Sequence, residues 1–238
     1  MSVNKESVSE SPLANEGPLT KENVFQLARD CQLYAGALIP GMARDSEEPR
    51  FDTLNPFDNS VIGQVQRCNS GQVDTAVKAA RQSFENGEWS KLHPGERKAA
   101  MQRWVELLKE FSEELAALDC IDGGKPINEC LTLDIPETIH TIAWYAEAVD
   151  KVFGKVSPTD GDTLAMIVKE PVGVVAAVLP WNFPALMLAW KVAPALAAGN
   201  SVIIKPAEQT SLSAYRMLQL AYEAGIPEGA LTMVTGFG

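Results

Sequence analysis

The chain of 238 residues has a formal net charge of −11, is 46% hydrophobic and 21% charged, and holds four cysteines and two histidines. This composition is that of an ordinary globular protein with enough apolar residues for a core. The acidic balance argues against a nucleic-acid or anionic-membrane surface, and the N-terminus lacks the apolar run of a secretory signal. We therefore expect a cytoplasmic protein without nucleic-acid or membrane partners. The scattered Cys and His residues predict no metal site.

The N-terminal part, residues 1–50, predicts a polar tail and a short helix. The tail is rich in Ser, Glu, Asn and Pro and has little to bury. Lys21 to Leu33 could form the helix, with Val24 and Leu27 facing inward. Two strands, Phe51 to Leu54 and Val61 to Gln66, are expected around an Asn-Pro turn.

Apolar stripes at helical spacing then predict three helices that contribute to the core. The stripes are Val73, Ala76, Val77, Ala80 and Phe84, with Ser70 as a possible cap; Met101, Trp104, Val105, Leu108 and Leu115; and Ile139, Ile142, Ala143 and Ala146 in a helix that begins near Leu131. A break at 154–157 ends the third helix, and a strand is predicted over 163–170.

From residue 171 onward, strands and helices alternate. The predicted elements are a strand at 172–179, a helix at 184–198, a strand at 201–205, a helix at 209–224 and a strand at 231–234. Strands separated by helices of this length indicate right-handed βαβ crossovers and a parallel sheet. Ligands of such sheets bind outside the carboxyl ends of the strands.

Polar side chains follow two of these predicted strand ends. Asn182 lies at a strand-to-helix switch, where its amide could stabilise a developing oxyanion, or could simply form a cap or an Asx turn. Lys205 and Glu208 follow the next strand, where a carboxylate could accept hydrogen bonds from ribose hydroxyls. A surface ion pair is the alternative for these two residues.

Three motifs resemble the aldehyde dehydrogenase superfamily, from about Phe51 to the end of the chain. They are Pro180-Trp181-Asn182-Phe183-Pro184, Ala197-Ala198-Gly199-Asn200 and Ile204-Lys205-Pro206-Ala207-Glu208-Gln209-Thr210. The nearest resemblance is to aminoaldehyde-oxidising members, including γ-glutamyl-γ-aminobutyraldehyde dehydrogenases of polyamine catabolism. The resemblance implies NAD-dependent oxidation of an aldehyde, expected to be an ω-aminoaldehyde, to the carboxylic acid. It also implies a homodimer or homotetramer of the full-length protein.

The resemblance assigns roles to individual residues. Asn182 matches the side-chain half of the oxyanion hole, and Glu208 beside the ribose favours NAD over NADP. The cofactor-binding residues that it implies are Trp181, Lys205, Glu208, Gly236 and Gly238. Phe183, Met187 and Trp190 match the substrate tunnel, with core packing as an equal alternative. Asp134 and Glu137, three apart on one helix, would attract a substrate amine at the tunnel mouth, although complementarity to the helix dipole explains them adequately.

The same resemblance implies a division of the chain. Residues 51–153 and 171–238 would form a partial NAD-binding domain of α/β class, a Rossmann-type parallel sheet with flanking helices, and 154–170 an oligomerisation strand. The catalytic domain, with its nucleophilic cysteine and its glutamate base, is expected to be absent. Two functions therefore remain open: an aldehyde dehydrogenase represented by its N-terminal half, or an inactive truncated fragment that at most binds nucleotide or an assembly partner.

Overall fold

The computed structural model describes residues 33–43 and 49–238. The predicted tail, and all of the predicted first helix except Leu33, lie outside these residues. The described chain begins with a small sheet in which β1 (Tyr34–Ala35) runs parallel to β3 (Val61–Gln66) and β2 (Arg50–Leu54) runs antiparallel to it. The predicted strands at 51–54 and 61–66 are thus confirmed, joined by a turn whose Asn55 side chain accepts from the Phe57 amide.

Helix α1 (Ser70–Asn86) differs from its prediction in its cap and in its inward face. The cap is Asn69 rather than Ser70, and Asn69 and Gln72 bond reciprocally in a capping box. Val73 and Val77 are exposed, against the prediction, whereas Ala76 and Ala80 are fully buried as predicted. The helix lies against the parallel sheet, and small residues allow that close approach better than β-branched ones.

The second predicted stripe spans two helices, α2 (Pro94–Glu110) and α3 (Ser112–Gly123), which meet at Phe111. Met101, Trp104 and Leu108 on α2 are buried, and Leu115 is buried on α3. The indole of Trp104 donates to the Met217 carbonyl at 3.0 Å. Helix α3 ends in left-handed Gly124, with φ +71°, a conformation that costs glycine little.

The third predicted helix begins earlier than expected and contains an irregular turn. A short α4 (Ile127–Glu129) leads through a π-helical turn (Cys130–Asp134) into α5 (Ile135–Ala148). Ile142 and Ala146 are buried as predicted, whereas Ile139 and Ala143 are half-buried.

A projecting hairpin replaces the single long strand predicted at 163–170. Its strands β4 (Lys155–Ser157) and β5 (Ala165–Ile167) pair antiparallel. The predicted break at 154–157 therefore includes a strand. Val156, Met166 and Ile167 are exposed, so within the described residues this hairpin contributes little to the core.

The alternating elements form the predicted parallel sheet. Strands β6 (Val174–Val178), β7 (Ser201–Lys205) and β8 (Leu231–Met233) stand in the order β6-β7-β8. Helices α6 (Pro184–Ala197) and α7 (Leu212–Glu223) connect them. At the outer side of β8, Leu38 forms an antiparallel bridge with Met233. The carboxyl ends of β6, β7 and β8 therefore lie side by side and present their turns at one edge of the sheet.

The main core lies among α2, α3, α5, α6 and α7 and the sheet beneath them. Helix α6 is apolar on most sides, and Ala185, Leu188 and Val192 are fully buried. No helix in the described part of the chain is both long enough and apolar enough to cross a membrane.

Candidate functional site

The turn between β6 and α6 contains the polar side chain of Asn182, which is exposed to solvent. Trp181 is 58% exposed, and Asn182 is exposed and makes no hydrogen bond with a described residue. Phe183 precedes α6 without a side-chain cap bond, and its carbonyl accepts from the Met187 amide at 2.8 Å. The structure therefore does not contain the predicted alternative, in which the Asn182 side chain caps the helix or forms an Asx turn. Its amide is available as a donor.

The predicted substrate residues lie on and just before the first turns of α6. Phe183 and Met187 are half-buried, and Trp190 is 56% exposed. Packing within the described residues thus buries only part of the surface of these three side chains. More than half of the Trp190 surface in particular is left uncovered by the described elements.

The turn between β7 and α7 is held by internal bonds. Lys205 pairs with Glu208 at 3.4 Å, and the Ser211 hydroxyl donates to the Ala207 carbonyl at 3.0 Å. A hydrogen bond from the backbone, followed by the neighbouring Lys205, lowers the pKa of Glu208, so Glu208 is ionised at neutral pH. The predicted alternative of a surface ion pair is thus present, at the position where a ligand-binding carboxylate was also predicted.

The segment after β8 contains Gly236 and Gly238, the two glycines predicted to bind the cofactor. Gly236 is buried with φ +140°, a conformation that side chains rarely adopt, whereas Gly238 is exposed. Phe237 between them packs on Phe51 with ring centroids 4.7 Å apart. A cavity of about 230 Å³ is lined by both Glu208 and Phe237. The structure therefore brings the second and third turns together around one depression.

Asp134 and Glu137 do not share an exposed face, which corrects the sequence prediction. Asp134 is fully buried and forms an ion pair with Lys125, whereas Glu137 is exposed. The buried line of this helix recurs every four residues, through Asp134, Thr138 and Ile142. Glu137, one residue before Thr138, turns about 100° away from that line. The accessible carboxylate of this pair is therefore Glu137 alone.

Lys125, which sequence reasoning did not single out, contacts the site from the other side. Its Nζ lies 3.7 Å from the centroid of the Phe183 ring while it pairs with Asp134. A lysine directly after a helix-ending Gly-Gly pair gave no signal of this contact in the sequence. The contact depends on how α3 and α6 pack against each other.

Helix α3 also places two buried carboxylates beneath the site, and neither was predicted. Asp122 Oδ2 accepts from the Leu212 amide at the start of α7 at 3.1 Å, and Oδ1 accepts from the Thr53 hydroxyl at 2.6 Å. Burial raises the pKa of Asp122 to about 6, and these hydrogen bonds offset part of the rise. This pair could have been predicted from the sequence, because the two aspartates are three residues apart and adjoin the apolar Leu115 and Leu118.

Asp119 lies near the start of α6, yet neither of its oxygens meets hydrogen-bond geometry with a described partner. Burial raises the pKa of Asp119 to about 7, and the Ser213 hydroxyl and the Ala185 amide offset only part of that rise. Asp119 therefore carries a proton for a sizeable fraction of the time at neutral pH.

The thiols of Cys120 and Cys130 are not activated as nucleophiles. Burial, followed by the nearby Asp119, raises the pKa of both Cys120 and Cys130. These two thiols are thus protonated at neutral pH, whereas a nucleophilic cysteine must be a thiolate. No three His, Cys, Asp or Glu side chains in residues 33–43 and 49–238 are grouped to hold a metal ion.

Comparisons with known proteins agree with the sequence resemblance. The profile of the aldehyde dehydrogenase family matches residues 43–238. The chain is 48% identical over 221 residues to an aminoacetaldehyde dehydrogenase of Pseudomonas aeruginosa, covering 92% of this chain and 45% of that protein. It is 50% identical over 218 residues to an NADP/NAD-dependent aldehyde dehydrogenase, PuuC, of Escherichia coli, covering 92% of this chain and 43% of that protein.

Solved structures give the same result for the fold. The γ-glutamyl-γ-aminobutyraldehyde dehydrogenase of Burkholderia cenocepacia superposes with a TM-score of 0.89 at 46% identity, over 92% of this chain and 45% of that chain. An indole-3-acetaldehyde dehydrogenase complexed with NAD⁺ superposes with a TM-score of 0.88 at 43% identity, over 93% of this chain and 45% of that chain. The predicted α/β fold is therefore confirmed, and the chain spans less than half the length of these relatives.

Proposed function

Because this chain belongs to the aldehyde dehydrogenase family, we propose that it is the cofactor-side part of an enzyme that oxidises an ω-aminoaldehyde with NAD. The observation that carries this proposal is the exposed Asn182 amide, which has no partner among the described residues, beside the turn of Lys205 and Glu208. A donor left unpaired at a strand end can serve a ligand without first breaking an internal bond.

Asn182 would act on the aldehyde oxygen. When a thiolate adds to an aldehyde, negative charge develops on that oxygen, and an aimed N–H stabilises it more in the transition state than in the substrate. NAD, when bound, would supply the hydride acceptor. Cys120 and Cys130 would not supply the thiolate, since their raised pKa values keep both thiols protonated.

Glu208 would select the cofactor. Its lowered pKa keeps it ionised, and Lys205 fixes it at the end of β7. A carboxylate accepts hydrogen bonds from ribose hydroxyls and repels a 2′-phosphate. Gly236 at the end of β8 would allow close approach of the cofactor to the backbone. Trp181, exposed beside Asn182, and Gly238 complete the proposed cofactor surface.

Glu137 would favour substrates with a terminal amine. Its carboxylate is exposed, whereas that of Asp134 is buried and paired to Lys125, so Asp134 would act only indirectly. Phe183, Met187 and Trp190 would contact the carbon chain. An exposed ion pair is worth at most about 1 kcal/mol and weakens with salt, so the expected selectivity is moderate.

NADH formation with γ-aminobutyraldehyde and with hexanal tests this proposal. We expect a lower KM for the aminoaldehyde at low salt and a smaller difference at high salt. Glu137→Gln should raise the aminoaldehyde KM about threefold or more and leave hexanal unchanged. Glu129→Gln, on the short helix before the π-helical turn, is the matched control. A salt-independent preference that survives Glu137→Gln would contradict the role of this residue.

A second candidate is a nucleotide-binding or assembly partner without dehydrogenase activity. The raised pKa values of the Cys120 and Cys130 thiols favour it, because neither is a competent nucleophile at neutral pH. Titration with NAD⁺ followed by calorimetry, beside the NADH assay, separates the two candidates. Saturable binding without any NADH formation supports the second.

A further inference from the structure

We propose that Lys125 is a positioning residue that fixes the Phe183 ring and, through it, the direction of the Asn182 amide. This inference rests on the proposed function, because it takes Asn182 as the oxyanion donor. Lys125 itself need not touch the substrate. It would act by holding the turn between β6 and α6 from behind.

Three groups in contact carry the proposal, and we call them the Lys125 clamp: Lys125, Asp134 and Phe183. Lys125 Nζ lies 3.7 Å from the Phe183 ring centroid, well within the range of a cation–π contact. The same Nζ pairs with Asp134 Oδ2. The Lys125 side chain is only 16% exposed and that of Asp134 is fully buried, so water screens this contact poorly.

Asp134 makes the clamp rigid. Its second oxygen, Oδ1, is buried and has no hydrogen-bond partner among the described residues. The ammonium group of Lys125 is therefore the main compensation for a charge buried inside α5 and its π-helical turn. Lysine has a flexible stem, but a buried carboxylate that needs this ammonium prevents it from leaving.

The turn that the clamp touches has few other restraints. Asn182 makes no side-chain hydrogen bond to a described residue, and α6 begins without a side-chain cap. Phe183 is the residue next to Asn182, and its carbonyl accepts the Met187 amide at 2.8 Å. A ring held on one face by a fixed cation therefore restrains the backbone from which the Asn182 side chain projects.

Two variants test the clamp while keeping the buried charge balanced. Lys125→Met with Asp134→Asn removes the cation from the ring without leaving an unpaired carboxylate. Lys125→Arg keeps both the charge and the ring contact and should restore wild-type behaviour. Lys98→Met is the matched control, since Lys98 is similarly buried, 21% exposed, and also pairs with carboxylates, those of Glu147 and Asp150.

Hydrogen–deuterium exchange measures the clamp independently of activity. We expect the Met187 amide, within a peptide spanning 183–187, to exchange about fivefold faster or more in the double variant, because local opening becomes easier. Lys125→Arg and Lys98→Met should match the wild type. Unchanged exchange in the double variant would overturn the proposal, whether or not the protein oxidises aldehydes.

Steady-state kinetics measure the consequence for the oxyanion donor. In a protein that forms NADH, the double variant should lower kcat about tenfold or more, because small misplacements of catalytic groups are costly. The KM for NAD should stay within about twofold, and Lys125→Arg should restore kcat. A protein without wild-type activity contradicts the proposed function alone, and exchange still decides the clamp. Faster exchange with unchanged kcat would overturn the positioning role.

Discussion

The turns that follow β6 and β7 lie side by side but are stabilised in opposite ways. The β7 turn is held by side-chain interactions: Lys205 pairs with Glu208, and Asp122 accepts from the Leu212 amide. The β6 turn leaves Asn182 without a partner among the described residues. Under the proposed function, this sheet edge would combine a preformed binding surface after β7 with a hydrogen-bond donor after β6 that is free to act on the substrate.

The two buried aspartates of helix α3, which lie beneath the two turns, also differ in their hydrogen bonding. Asp122 accepts hydrogen bonds from Thr53 and from the first amide of α7. Asp119, one helical turn away near the start of α6, meets no donor with good geometry among the described residues. The same residue type thus anchors one turn by hydrogen bonds and lies beneath the other largely as a buried acid. Each of the following predictions tests one side of this contrast.

Replacing Asn182 should give the largest effect on activity. In a protein that oxidises aldehydes, Asn182→Ala should lower kcat about 10²- to 10³-fold, or roughly 3–4 kcal/mol, as loss of one oxyanion donor does. The melting temperature should stay unchanged because Asn182 is exposed. Steady-state kinetics and thermal denaturation measure the two effects.

Asn200→Ala is the matched control for that experiment. Asn200 is buried, accepts from the Gly173 amide at 3.0 Å and donates to the Ala195 carbonyl. We expect it to lower the melting temperature and to leave kcat per folded molecule nearly unchanged. Equal kinetic losses in both variants would mean that Asn182 has no special role.

Asp119 should make stability depend on pH. Burial raises its native pKa to about 7, whereas the unfolded carboxyl titrates near its usual ~3.9. Between these values the native state binds more protons, so the free energy of unfolding falls as pH rises, by up to about 1.4 kcal/mol per pH unit. Asp119→Asn, which mimics the protonated acid, should therefore stabilise the protein at pH 8 more than at pH 5 in urea denaturation.

Asp122→Asn provides the contrast on the other turn. The pKa of Asp122 is also raised, to about 6, so asparagine again removes a buried charge at pH 8. An amide has one acceptor oxygen where the carboxylate offers two, to the Leu212 N–H and the Thr53 hydroxyl, and losing one of these bonds costs about 1–3 kcal/mol. We therefore expect Asp122→Asn to stabilise the protein at pH 8 clearly less than Asp119→Asn does. Equal gains of the two asparagine variants in urea denaturation at pH 8 would mean that the distinction between an anchoring and a merely buried aspartate is wrong.

Replacing Glu208 should give the smallest effect. Glu208→Gln removes the repulsion of a 2′-phosphate, worth ~1 kcal/mol at a partly exposed site, or about fivefold in the NAD-to-NADP ratio of kcat/KM. Glu223→Gln, exposed at the end of α7, is the control. A ratio that Glu208→Gln leaves unchanged would remove Glu208 from cofactor selection.

The parallel sheet was predictable because local patterns and tertiary structure agree there. The runs at β6 and β7 are β-branched and bounded by Pro180 and Pro206, and the helices between them have the length that a crossover needs. Helix α1 was less predictable. Its predicted inward stripe was right for Ala76 and Ala80, which lie against the sheet, and wrong for Val73 and Val77, which are exposed.

The site was predictable only as far as strand ends position it. Asn182, Glu208 and Gly236 follow strands that the pattern located correctly, and Lys205 ends one of them, so their placement at one edge of the sheet followed from the topology. The burial of Asp134 and the contact of Lys125 with Phe183 depend on the packing of α3, α5 and α6. Spacing along one helix cannot report which neighbour that helix faces.

The order of the parallel sheet has a consequence for the behaviour of the protein at high concentration. Within the described residues β6 pairs only with β7, so one row of its N–H and C=O groups has no strand opposite. The sequence Val-Val-Ala-Ala-Val carries no charge there, and Val178 is 66% exposed. Proteins commonly discourage edge-to-edge pairing with lysines, prolines or bulges, and this strand has none of them. Wherever no further segment covers that edge, two molecules can pair strand to strand, and solubility then becomes limited by backbone hydrogen bonding rather than by the strongly negative surface.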